Sequence, residues 1–212
     1  MRLPAYSGGT AWDSHPLRVT AGRNVSSIEQ YTKKRMSKAS IENPREVPAA
    51  RVSLQGGGFV VRAEMLLVQT DHRVELTDLT ERVAGFVRAS GVREGIVSLW
   101  SMHTTCAVFI NEAQRALHDD IKTFLEKVVA RDAEWMHNDP GHSDCDRFNA
   151  DSHLRAMLLG HGLTMQVTGG ELVVGQWQRV LMAELDGPRA RSIRIQVIGA
   201  CGPSERPEGS PA

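Results

Sequence analysis

Cysteine is scarce in this chain of 212 residues: there are three, Cys106, Cys145 and Cys201. The number is odd and the spacing is not that of a metal finger. A disulfide-stapled secreted domain is therefore not expected; free thiols in a reducing compartment are. Long apolar runs are missing as well. Nothing approaches the roughly 18 residues that cross a bilayer, and the N-terminus lacks the apolar block of a secretory signal. The expected setting is the cytoplasm, without a membrane partner. A dominant charge is also lacking, because the formal net charge is zero. That zero hides an asymmetry. Residues 1–58 hold nine basic and four acidic side chains, net +5, whereas residues 59–200 hold fifteen and nineteen, net −4. The compact part is thus mildly acidic, which argues against a broad nucleic-acid surface.

What is present is ordinary for a globular chain: 41% hydrophobic and 24% charged residues. Length suits one domain with tails. Residues 1–58 show no sustained period, carry four prolines, a Gly56-Gly57-Gly58 run and the basic stretch "YTKKRMSK". They are expected to form a flexible basic extension. Residues 59–200 are expected to form the folded domain, and 201–212 a flexible tail.

Within that domain "FVVRAEMLLVQT" reads as a strand. "LTDLTERVAGFVRASG" reads as a helix with Thr77 or Thr80 as cap, Leu79, Val83, Phe86 and Val87 on one face, and Gly91 as the left-handed stop. "EAQRALHDDIKTFLEKVVA" is an amphipathic helix and "NADSHLRAMLLG" a short one closed by Gly160. The remainder reads as an antiparallel meander, with turns at Gly169-Gly170 and Asp186-Gly187-Pro188-Arg189. In its last strand Ile193, Ile195 and Val197 share one face. The order of elements predicts an α+β class, a largely antiparallel sheet with packed helices.

The stretch "SLWSMHTTCAVFINE" reads as one core strand, 98–112, interrupted by polar residues. Alternation along it would send His103 and Thr105 to one face and Thr104 and Cys106 to the other. His137 lies in "WMHNDPGH" and His153 in "FNADSHLRA". Histidines from a strand, a loop and a helix can build an open metal centre with a free coordination position. Their spacing is not itself a motif, and His142 and His161 compete for the role. Glu112 closes the odd strand, where it suits either a helix dipole or a general base. In "GQWQ", Trp177 suits the core and Gln178 is expected to need buried partners. Asp186 and Arg189 are good turn residues, yet a carboxylate and a guanidinium there also suit an anionic ligand.

The ordered blocks "HTT…NE", "HND", "NADSHLRAMLLG", "GQWQ…AELDGPR" and a final "QVIG" strand resemble the YjbQ family, also called UPF0047. The resemblance covers about Phe59 to Gly199. It implies a homotrimer with a pocket near a subunit boundary, and His103, His137 and His153 as ligands of a divalent transition metal, zinc rather than magnesium unless a diphosphate brings the latter. It implies Glu112, Asp186 and Arg189 as catalytic residues. Thr104, Thr105, Asn138, Asn149, Ser152 and Gln178 would contact a small phosphorylated substrate. The family name implies thiamine-phosphate synthase activity, joining hydroxymethylpyrimidine diphosphate to a thiazole phosphate. A metal-dependent hydrolase of a small phosphorylated or amide substrate, or a trimeric binding protein with a structural metal, are the other expectations. The loop "SDCDRF" departs from the small Gly-rich run common in the family.

Overall fold

The structure, a computed structural model, describes residues 52–56 and 58–201. Among the described residues nine strands and three α-helices alternate irregularly. Six strands make the larger sheet, in the order β1 (Val52–Gly56), β2 (Phe59–Gln69), β9 (Ala190–Cys201), β4 (Val92–Ser101), β6 (Gly162–Thr168) and β7 (Glu171–Leu172). A second sheet holds β3 (Glu75–Asp78), β8 (Arg179–Glu184) and β5 (Cys106–Asn111). Every pairing is antiparallel. This is a mixed α/β fold with curled antiparallel sheet and few helices.

The inner face of the larger sheet follows the alternation of its strands. Ile193, Ile195 and Val197 are completely buried, as are Val97 and Leu99 beside them in β4. Helix α1 (Thr80–Ser90) lays Val83 and Val87 onto this core. Gly91 ends it with φ of 76°, the left-handed geometry that a side chain resists. Neither Thr77 nor Thr80 caps its start. The Asp78 carboxylate instead accepts from the Thr80 amide at 2.8 Å, and the Thr80 hydroxyl accepts from Val180 N in β8. Those side chains are used to hold α1 on the second sheet.

Helix α2 (Arg115–Val128) is capped by Gln114, whose side chain accepts from Leu117 N at 2.8 Å. Helix α3 (Ala150–Leu159) follows a one-turn 3-10 segment, Met136–Asn138. A smaller core joins these helices to the second sheet through Leu125, Ala156, Ala107, Ala183 and Leu185.

Several expectations need correction. Strand β1 lies inside residues 1–58, so ordered structure starts ahead of Phe59; residues 1–51 and 57 of that extension, and 202–212 of the tail, lie outside the described residues. The stretch 98–112 is two strands, not one. Residues 102–105 turn, β4 pairs in the larger sheet and β5 in the smaller. β3 precedes α1 where a single helix was expected. The final strands are not a simple meander either, since β8 leaves for the second sheet and β9 returns to the middle of the first.

Candidate functional site

Two acidic residues, one at the end of β8 and one just after it, organise this end of the molecule. Glu184 is fully buried. One of its carboxylate oxygens accepts from the backbone N–H groups of Leu185 and Asp186, both at 2.8 Å. The buried Arg191 guanidinium grips both oxygens through Nε and Nη2, and also donates to the Thr105 hydroxyl at 3.0 Å. The Thr70 hydroxyl lies 3.2 Å from the same carboxylate and shares its one proton between it and the Arg189 carbonyl. The pair is sealed and satisfied, as buried charges require. Its consequence is positional: it fixes the backbone that presents Asp186.

Asp186 is also buried, with 1% of its side chain exposed, yet it faces outward chemistry. Arg73 Nη1 donates to Oδ1 at 3.1 Å. Oδ2 accepts from Arg147 Nε at 2.9 Å, Arg189 Nη2 at 3.1 Å and Asn149 Nδ2 at 2.8 Å. Three guanidiniums thus fan around one carboxylate, with 27%, 49% and 31% of the Arg73, Arg147 and Arg189 side chains exposed. Gly187 follows because nothing larger fits: a Cβ there would stand 2.6 Å from the His72 carbonyl oxygen.

Arg73 also reaches Asp151, at 3.2 Å, and Ser152 Oγ. Asp151 is fully buried and its other oxygen lies 3.4 Å from Arg155 Nη1. That is an ion pair without hydrogen-bond geometry. Arg155 in turn ties α3 to the carbonyl of Val129 and to Glu126. Ser152 donates to the Leu185 carbonyl. Asn138 accepts from Ala150 N at 3.0 Å and so orients the start of α3.

At the start of α3, next to Asn149, lies a mostly apolar cavity of about 340 Å³, lined by Trp135, Met136, His137, Ala150, His153 and Leu154. The two imidazoles meet edge to face, 5.0 Å between ring centres. Burial lowers the proton affinity of His153, and His137 and His161 lower it further; Asp186 and Asp151 pull the other way. His153 lines the cavity and feels the Asp186 and Asp151 charges. It is neutral near pH 7.

His103 is engaged elsewhere. Its Nε2 accepts from the Ser192 backbone N–H at 2.8 Å, tying the 102–105 turn to β9. Burial, then the neighbouring Arg191, lowers its proton affinity against a smaller opposing pull from Glu184. A hydrogen-bonded Nε2 has no lone pair left for a metal. Among the described residues no group of three or more His, Cys, Asp or Glu side chains is arranged to hold an ion. The donor set therefore does not fit a three-histidine centre within this chain.

The other expected residues divide. Asp186, Arg189, Asn149, Ser152 and Asn138 belong to the fan or support it. Thr105 is buried in the Glu184–Arg191 strut, beside Cys106, whose thiol burial pushes up to about 11. Thr104 is exposed on the turn, and Glu112 is exposed at the end of β5, where Asn111 Oδ1 accepts from its backbone N–H. Gln178 is exposed and accepts from Gly175 N at 2.8 Å, a local loop bond in place of buried partners. Trp177 is 67% exposed, not core. His142 pairs with Asp139 at 2.7 Å on the surface.

Sequence reasoning missed Arg73, Arg147 and Arg191. The first two reach Asp186 across 113 and 39 residues from irregular segments, so no local pattern marks them. The one available signal for Arg147 was the unusual "SDCDRF" loop itself.

Residues 64–200 match the family model described as UPF0047 protein YjbQ-like. A UPF0047 protein of Methanothermobacter thermautotrophicus is 46% identical over 139 residues, 66% of this chain and 93% of that protein. YugU of Bacillus subtilis is 28% identical over 134 residues, 63% of this chain and 97% of its own length. Among solved structures, a protein of unknown function from Sulfolobus solfataricus superposes with a TM-score of 0.62 at 34% identity, covering 66% of this chain and 99% of the other. No helix among the described residues is long and apolar enough to cross a membrane. These relatives bear family names and no activity. With no ligand cluster among the described residues to hold a metal, the expectation of a metal-dependent enzyme is overturned, and with it thiamine-phosphate synthase, the hydrolase and the structural-metal scaffold. What the matched length and identity do establish is membership: the chain belongs to the YjbQ-like UPF0047 family.

Proposed function

We propose that this protein binds a small anionic molecule, a phosphorylated one above all, on the Arg73–Arg147–Arg189 fan, with the ligand's organic part in the adjoining cavity. The observation that carries this is the charge at the fan: three partly exposed guanidiniums converge on the buried Asp186 carboxylate, and with Asp151, Arg155 and Glu126 included the linked network keeps one unmatched positive charge. Arginine's planar fork matches phosphate and carboxylate oxygens, and a partly desolvated cluster binds them strongly. A cavity of about 340 Å³ lies within the range of small-ligand sites and has the usual apolar lining with a few polar groups. His153, which lines the cavity, can take or give a hydrogen bond while uncharged.

The test is a thermal-shift panel of phosphomonoesters, carboxylates and neutral analogues of equal size. Phosphomonoesters should raise the melting temperature and neutral analogues should not, and Arg189→Gln should abolish the difference. Equal shifts from neutral and charged compounds would remove the reading.

We also propose that the protein is a cytoplasmic homotrimer. Support for assembly is the outer face of the larger sheet, where Phe59, Leu67, Ile96 and Trp100 are each about half exposed or more. Large apolar side chains exposed on one sheet face often mark a subunit contact. Light scattering on the purified full chain checks this: a trimer mass is expected, and a monomer at micromolar concentration contradicts it.

A further inference from the structure

The three guanidiniums of the fan are not equally held. Arg73 stands in the turn between β2 and β3, its carbonyl accepting from Gly187 N at 3.0 Å, and its side chain is shared between Asp186 and Asp151. Arg189 opens onto β9, with its backbone N–H donating to the Thr70 hydroxyl at 3.0 Å and its carbonyl accepting from Thr70 twice. Arg147 lies in the loop before α3. Its backbone makes no hydrogen bond among the described residues, and its side chain is the most exposed of the three. It reaches Asp186 through Nε on the carboxylate and Nη2 on the carbonyl, 3.4 Å away.

The charges around it are nearly balanced. Four guanidiniums, Arg73, Arg147, Arg155 and Arg189, are linked to three carboxylates, Asp186, Asp151 and Glu126. Without Arg147 the network is neutral; with it, the network carries one unmatched positive charge. Asp144 and Asp146 in the same loop are exposed and form no ion pair with the fan.

We infer that Arg147 is the residue that sets the charge of the accepted ligand, by swinging its guanidinium from Asp186 to a doubly charged phosphate. This rests on the fan being the anion site. Arg73 and Arg189, pinned by the backbone of two adjacent turns, hold the anion; Arg147 reads its second charge. Asn149 Nδ2 and Arg189 Nη2 remain on Oδ2 of Asp186 when Arg147 leaves, so the carboxylate stays satisfied.

The experiment is titration calorimetry of the full chain with two probes of one shape and different charge: phenyl phosphate, a dianion at pH 8, and methyl phenyl phosphate, a monoanion. The unmodified protein should prefer the dianion about tenfold, the worth of one charge-assisted hydrogen bond. Arg147→Gln should bring the two affinities within about threefold of each other by weakening the dianion alone, with an unchanged unfolding midpoint. Arg147→Lys, which keeps the charge without the fork, should retain the preference. If Arg147→Gln weakens both probes by the same factor, or neither, Arg147 is not the discriminator although the fan still binds anions. If the unmodified protein binds neither probe, the anion reading itself falls, and this inference with it.

Discussion

Glu184 and Asp186 are two residues apart on one segment, and both are buried, yet their surroundings differ. Glu184 has one guanidinium, Arg191, together with Thr70 and two backbone amides, and all of it is enclosed. Asp186 has three guanidiniums, none fully enclosed. The first arrangement is charge-matched and closed, so it can only hold structure. The second has excess positive charge at a solvent-facing edge, so it can accept something. The contrast separates a buried acidic residue that builds the scaffold from one that organises a binding site.

The largest expected effect comes from breaking the sealed pair. Arg191→Leu leaves the Glu184 carboxylate buried without its counter-charge, at a cost of about 3–5 kcal/mol. Urea unfolding monitored by circular dichroism measures it. A loss below about 1 kcal/mol would mean that solvent reaches Glu184. Asp186→Asn should cost less, about 1–3 kcal/mol, because the three arginines it frees can turn to water. Arg189→Gln should cost under about 1 kcal/mol of stability, since its ion pair is partly exposed. It should still lose most of the phosphomonoester binding. The order of these three, in the same denaturation assay, is the sharpest form of the comparison. If Arg189→Gln destabilised as much as Arg191→Leu, the two regions would not differ in kind.

How far this could be read from the sequence depended on whether a feature was local. The Val83 and Val87 face of α1, the Gly91 stop and the Ile193–Ile195–Val197 alternation are local patterns, and the structure bears them out. β3 was hidden because Glu75–Asp78 is short, polar and directly joined to a helix. The 98–112 stretch misled because both of its apolar halves are true strands; the turn between them becomes visible only once they join different sheets. The Asp186–Arg189 turn, Asn149, Ser152, His137 and His153 were accessible as motif residues. Arg73 and Arg147 were not, because nothing in a turn or an irregular loop says which distant carboxylate its guanidinium will meet. His103 was placed in the right block, and the β9 backbone then claimed its Nε2.

The smallest effect concerns pH. Both His103 and His153 have lowered proton affinity in the fold. A depressed base favours its neutral form when folded, so the unfolded chain binds more protons below the ordinary histidine pKa of about 6.5. The stabilisation is complete above that pH and declines as pH falls through it. The melting temperature should therefore drop between pH 7.5 and 5.5, and drop less in His153→Gln. An identical pH slope in that variant would show that His153 is not held neutral.

The central claim is that the Asp186 fan is an anion site and the Glu184 pair is not. Titration calorimetry with phenyl phosphate, on the unmodified chain and on Arg73→Gln/Arg189→Gln in a buffer containing EDTA, tests it most directly. Saturable one-to-one binding to the unmodified chain, and none to the folded double variant, is expected. Absence of binding to the unmodified chain at millimolar ligand, or equal binding to both proteins, would contradict it.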